Sequence, residues 1–190
     1  ALYRRASEQA VRPREVAALT LRSVEAQGRC DTATSQLLGG LEAALDKDDS
    51  YLAAIYQLRD QALAGEHWAA AYKAVTAEAK ASMLSEHRLW ALLVAGDLAM
   101  ERVADQDGAL ACYREALEIA PGQRHAFDRV VEILDAAERW EELGKALRER
   151  INVEVDVERL AELHRRLAEL ARAHLDDREL ARQQLNALLE

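Results

Sequence analysis

Over positions 108–121 the chain reads GALACYREALEIAP, and Ala109, Tyr113 and Ala116 recur at spacings of four and three. That spacing puts the three on one helix face, and Pro121 ends the helix. Just upstream, over 89–102, Leu89, Leu93, Gly96, Asp97 and Met100 fall on a second helical stripe, and 105–108 supplies a turn. Two helices joined so closely predict an antiparallel pair.

The layout recurs along the chain. Phe127, Val130, Val131 and Leu134 form an apolar helix face, 137–140 forms a turn, and Leu143, Leu147 and Ile151 follow. Upstream, Ile55, Leu58, Ala62 and Gly65 precede Trp68, Ala71, Val75 and Ala79, with Ala71 standing 38 residues before Ala109. A weaker copy has Ala17, Leu21 and Val24, then Ala33, Leu37 and Leu41. A last pair has Leu160, Leu163, Leu167, Leu170 and Ala171, then Ala181, Leu185 and Leu188, around a turn at 176–178. Helices are expected over 2–11, 13–27, 31–46, 50–64, 67–81, 86–103, 106–119, 122–137, 140–150, 156–174 and 177–189. Pro13 suits a first helical turn or a kink, and Asp49 or Ser50, Ser85 and Asp105 suit N-caps. Residues 152–157 alternate with period two, but with no second strand to pair they read as a loop between helices.

The pair over 89–121 resembles a tetratricopeptide repeat. Ala109, Tyr113, Ala116 and Pro121 stand at the four helix B positions that the family marks with Ala, an aromatic, Ala and Pro, and Gly96 stands near its small helix A position. Leu93 and Met100 replace the family's helix A aromatics, and Leu143 replaces a helix B Ala, so the repeats are divergent. The resemblance implies an all-α fold, a right-handed α-solenoid of about five antiparallel helix pairs. The units run over 1–47, 50–84, 86–121, 122–153 and 156–190 within one repeat domain. A chain that opens without Met is expected to be a piece of a longer protein.

Composition supports helices and narrows function. Half of the residues are hydrophobic but only 5% are aromatic, with 2 Pro and 8 Gly among 190, a mix that favours helix over sheet. A net charge of −9 repels phosphate backbones, so nucleic acid is not expected as a partner. No apolar run reaches the roughly 18 residues of a bilayer span. The absence of a signal sequence and of paired cysteines points to the cytoplasm, and Cys30 and Cys112 read as reduced, partly buried thiols.

Chemistry-bearing patterns are scarce. His67, His87, His125, His164 and His174 lack the spacing of a helical zinc site, and His164 and His174 read as solvent-facing. Gly39 and Gly40 interrupt a helix, and Gly65, Gly108 and Gly122 belong to turns rather than to a phosphate loop. No cofactor, metal or catalytic residue is expected, and the carboxylates read as solvated helix faces.

By the resemblance, function lies on the exposed helix A positions that line a concave groove. These are Tyr56, Gln57 and Asp60, then Val94, Leu98, Glu101 and Arg102, then His125, Asp128, Arg129 and Glu132. Some family members clamp a peptide's terminal carboxylate there with Lys and Asn. Here Tyr56, Asp60, Val94, Leu98, Asp128 and Glu132 occupy such places, and an apolar patch at Val94 and Leu98 beside carboxylates suits an amphipathic or basic segment. The expected role is a non-catalytic scaffold that binds a partner protein or peptide. A structural spacer in a longer array is the alternative, and a helical-bundle enzyme or regulatory domain ranks last.

Overall fold

The computed structural model describes residues 13–28 and 34–188, with side chains over 13–23 and 37–188. The helix expected over 2–11, and with it Cys30 and Ala33, lies outside the described residues. The described residues form ten α-helices and no strand: α1 (Pro13–Gly28), α2 (Thr34–Leu45), α3 (Leu52–Ala64), α4 (Trp68–Ala81), α5 (Ser85–Leu98), α6 (Gln106–Ile119), α7 (Arg124–Ala136), α8 (Trp140–Ile151), α9 (Val157–Ala173) and α10 (Arg178–Asn186). A π-helical turn, Ala99–Val103, extends α5. The described residues form an all-α, tetratricopeptide-like fold, with helix A and helix B of the last four pairs joined by short turns. Three residues separate α3 from α4 and α7 from α8, and connections so short make antiparallel neighbours.

The chain divides into two compact units, Ala1–Ala109 and Leu110–Glu190. In the first, α1 to α5 pack each on the next, and α4 also touches the π-helical turn. Leu21, Leu41, Ile55, Leu58, Val75 and Leu92 form its core. Helix α4 is mostly alanine on its buried side, Ala70, Ala71, Ala74, Ala77 and Ala79, which lets it lie close between α3 and α5. In the second unit α7 packs on α8, α8 on α9 and α9 on α10, around Tyr113, Phe127, Val130, Leu134, Leu143, Leu147 and Leu167. Each such side chain contributes about 1.5–3 kcal/mol when removed from water.

The turns inside the pairs share one device. Glu66, Ala104, Glu138 and Asp176 all have positive φ, between 49° and 61°, and they stand 38, 34 and 38 residues apart. After α3 the N–H of His67 donates to Ala62 O at 2.8 Å, and after α7 that of Arg139 donates to Leu134 O at 2.9 Å. These are the six-to-one bonds that close a helix through a left-handed residue. After the π-helical turn the closing bond is wider, from Asp105 N–H to Ala99 O at 2.9 Å. None of the four residues is glycine, although the left-handed conformation costs a side-chain-bearing residue about 1–2 kcal/mol.

Several local expectations change. Helix α2 runs unbroken through Gly39 and Gly40, and Gly108 lies in the first turn of α6 rather than in a loop. Ser85 is the first residue of α5 and Leu84 holds the cap position. Tyr51, not Asp49 or Ser50, holds it for α3, because Asp48 instead takes the Ser50 N–H and hydroxyl at 3.0 and 2.6 Å. Asp105 does cap α6, accepting from Gly108 N–H at 2.9 Å. Trp140 is the first residue of α8, where the helix expected over 140–150 begins. The alternating run 152–157 is a loop up to Asp156, which caps α9 by accepting from Arg159 N–H at 3.1 Å.

The small residue of α8 is Gly144, next to Leu143. A Cβ there would lie 3.3 Å from Leu175 and 3.5 Å from Leu170, so α8 approaches α9 and the residue after it closely here. Of the two late histidines, His174 is exposed as expected and His164 is half-buried. His164 Nδ1 donates to Gln184 Oε1 at 2.7 Å, tying α9 to α10, and His174 stacks on Trp140 with ring centroids 3.9 Å apart.

Candidate functional site

Helix α4 presents Ala71, Val75 and Glu78 on one buried stripe. A carboxylate in that place needs partners to offset its lost hydration. Glu78 is 1% exposed, and it finds them on the two flanking helices. Arg59 Nη1, from α3, donates to both carboxylate oxygens at 2.8 and 2.9 Å. His87 Nε2, from α5, lies 2.9 Å from Oε1 and donates to it. Arg59 turns its remaining edge to Asp60, with Nε and Nη2 both 3.0 Å from Oδ1. Burial works against the Arg59 charge, but the hydrogen bonds to Asp60 and Glu78 outweigh it and hold its pKa above the ordinary value.

This buried hub carries a row of flat groups at the surface. The Arg59 guanidinium lies over the Tyr56 ring, 5.2 Å from its centroid. The His87 ring stacks on Trp90, with centroids 5.9 Å apart and planes 8° from parallel. Ser82 Oγ sits 3.2 Å from His87 Nδ1 and steadies the ring from the α4–α5 connection. Trp90 remains 48% exposed. Leu52, Tyr56 and Leu63 are exposed along α3, and Met83 and Leu84 are exposed just before α5. The first unit therefore bears an apolar and aromatic surface, held in register by one buried carboxylate.

Of the expected groove residues in this unit, Tyr56 and Asp60 are exposed and meet at Arg59, while Gln57 and Val94 are half-buried. Leu98, at 9% exposure, faces the interior and adds nothing to an open patch. Glu101 and Arg102 are exposed on the π-helical turn, where the Arg102 guanidinium lies 4.7 Å above the Trp68 ring. In the second unit His125 is exposed and edge-on to Tyr113 at 6.0 Å. Asp128 pairs loosely with Arg124 at 3.6 Å, and Arg129 donates to Glu132 at 3.1 Å. Asp128 also lines a cleft of about 230 Å³ with Arg124, Arg159, Glu162 and Arg166.

Arg59, Glu78, His87 and Trp90 were not among the expected site residues. Glu78 was legible, since it falls seven residues after Ala71 and three after Val75 on a stripe otherwise apolar. An acid on such a stripe announces partners.

The second unit has its own clamp. Glu142 of α8 takes Arg139 Nε at 2.6 Å and Arg114 Nη2, from α6, also at 2.6 Å. Those hydrogen bonds, Arg139 first and Arg114 next, hold its carboxyl well below the usual range, at about 2. The cleft beside this pair, about 660 Å³, has Leu117, Phe127 and Val130 in its lining. Arg150 and Glu154, both 7% exposed, bond at 2.6 Å. Among the described residues no three His, Cys, Asp or Glu side chains gather to hold a metal ion, and no helix is long and apolar enough to cross a membrane.

No family model matches the chain, and no curated protein matches it. Among solved structures it is similar to MamA, at 10% identity with a TM-score of 0.46 over 86% of this chain and 91% of that one. It is also similar to YrrB, described as a TPR protein with an unusual peptide-binding site, at 16% identity with a TM-score of 0.45 over 98% and 90% of the two chains. A further likeness is to MamA from Desulfovibrio magneticus RS-1, residue 41 to its end, at 16% identity, a TM-score of 0.40, and 91% and 93% coverage.

Proposed function

We propose that this chain is a non-catalytic protein-interaction scaffold that takes a partner protein or peptide on the helix A face of its first unit. The observation that carries the reading is the row of Tyr56, Arg59, His87 and Trp90 above the buried Glu78, with Tyr56 and Trp90 exposed and Arg59 and His87 half-buried between them. Ordering an exposed tryptophan and tyrosine is entropically costly in a free surface, and pre-ordered aromatics are the usual anchors of protein interfaces. The fold supplies a rigid base, since α4 fixes α3 and α5 through one carboxylate.

Selection of a displayed peptide library on the immobilised chain tests this. The wild type is expected to enrich peptides that a Trp90→Glu, Val94→Glu variant with unchanged circular dichroism no longer holds. Enrichment that persists on that folded variant places binding elsewhere, and no enrichment on either favours the structural spacer.

A further inference from the structure

Helix α5 carries Glu86, Trp90 and Val94 at intervals of four, so the three side chains succeed one another along one face, neighbours about 5–6 Å apart. We infer that this stripe is a docking site for a cationic amphipathic segment. A partner's Arg or Lys lies on the Trp90 ring beside the Glu86 carboxylate, and an apolar side chain one helical turn further on covers Val94. The inference rests on the reading of this face as a binding surface and adds the chemistry of what it takes.

The groups that remain open decide which ligand fits. One edge of Arg59 is occupied by Asp60 and the other by Glu78. His87 has its Nε2 on Glu78 and its Nδ1 beside Ser82. An anionic ligand thus meets cations whose donors are already committed. A cation meets the opposite situation. Glu86 is exposed and makes no hydrogen bond or ion pair with the described residues, and Trp90, stacked on His87, still has about half of its surface open. Tryptophan is the strongest of the aromatic side chains in binding a cation over its ring.

The chain already uses this contact internally, where Arg102 lies 4.7 Å over Trp68. The net charge of −9 favours the approach of a basic partner from a distance. Leu52, Tyr56 and Leu63 on α3 add exposed apolar surface in the same unit. Glu86 to Trp90 and Trp90 to Val94 are each about one turn, close to 6 Å along the helix. A helical partner matches this with a basic residue three or four positions from an apolar one.

The test uses three fluorescein-labelled 18-residue peptides of Leu and Ala that differ only in the residue four positions from each Leu: arginine, its neutral isostere citrulline, or glutamate. Their affinities for the whole chain are measured by fluorescence anisotropy, with wild type, Glu86→Gln and Trp90→Leu. The arginine peptide is expected to bind about tenfold tighter than the citrulline peptide, the scale of one partly desolvated cation–π contact with a carboxylate neighbour. Either substitution should remove most of that preference, while the citrulline peptide should be indifferent to Glu86→Gln. Equal binding of all three peptides overturns the cationic assignment and leaves the binding face standing. A preference for arginine that survives both substitutions moves the cation site off this stripe. Binding of none of the peptides, in a wild type that folds normally, overturns both readings.

Discussion

A single missing methyl group shapes the start of α6. Gly108 lies under the carboxylate of Asp105, which caps the helix, and a Cβ at 108 would run into that carboxylate and the Tyr72 hydroxyl. Gly108→Ala should therefore destabilise the protein by about 1–3 kcal/mol, read as a lower urea midpoint, despite the better helix propensity of alanine. A midpoint at or above wild type would show that Asp105 can move aside freely. The sequence did not make this position readable. A glycine beside Asp and Gln looks like a turn, and only the curled cap explains why it must be glycine inside a helix. Other residues were plain from pattern alone. Ala71, Ala109 and Ala116 fall where small residues were expected, and all three are fully buried. Tyr113 is also fully buried, as an aromatic between helices should be.

Helix and turn order was legible for a different reason. Long segments with a 3.6-residue apolar period have few alternatives, so α3, α4, α7 and α9 fall close to their expected bounds. Caps and register changes were harder. The π-helical turn Ala99–Val103 carries the residues AMERV, which suit an ordinary helix, and the change shows only in where the backbone bonds close.

Glu78 joins α3, α4 and α5, so Glu78→Ala leaves His87 without its carboxylate and Arg59 with Asp60 alone, and should cost about 2–3 kcal/mol, since removing one member of a buried pair is destabilising. The half-open Arg59 can turn to water, which keeps the cost at that end. Loss of under 0.5 kcal/mol by chemical denaturation would contradict the hub. Glu142 ties α6 to α8 through Arg139 and Arg114 with its carboxyl held at about 2. A depressed carboxylate stabilises the fold fully above its unfolded value, near 4.3, and loses that contribution as pH falls towards 2. Carbon-13 NMR of the Glu142 carboxyl should show its midpoint near 2, moving up towards 4 in Arg114→Ala, Arg139→Ala. An unshifted midpoint near 4 in the wild type would mean that the clamp does not persist in solution.

At the scale of the whole molecule, pattern and composition gave the all-α, tetratricopeptide-like class because alanine-rich stripes, closing proline and short turns all point the same way. The exposed surface was half legible. Tyr56 and Asp60 are exposed and Val94 is half-open, as their place on helix A suggested, whereas Leu98 turned inward and the Glu78 hub, which depends on three helices meeting, needed the structure. That hub ties α3, α4 and α5 together beneath this face, and preorganisation of this kind lowers the ordering cost of binding. Side-chain oxidative footprinting, with and without a peptide selected on the wild-type chain, tests this most directly. The account predicts protection concentrated at Trp90 and Tyr56, with Trp140 of the second unit unchanged. Protection at Trp140 with none at Trp90 or Tyr56 would contradict it.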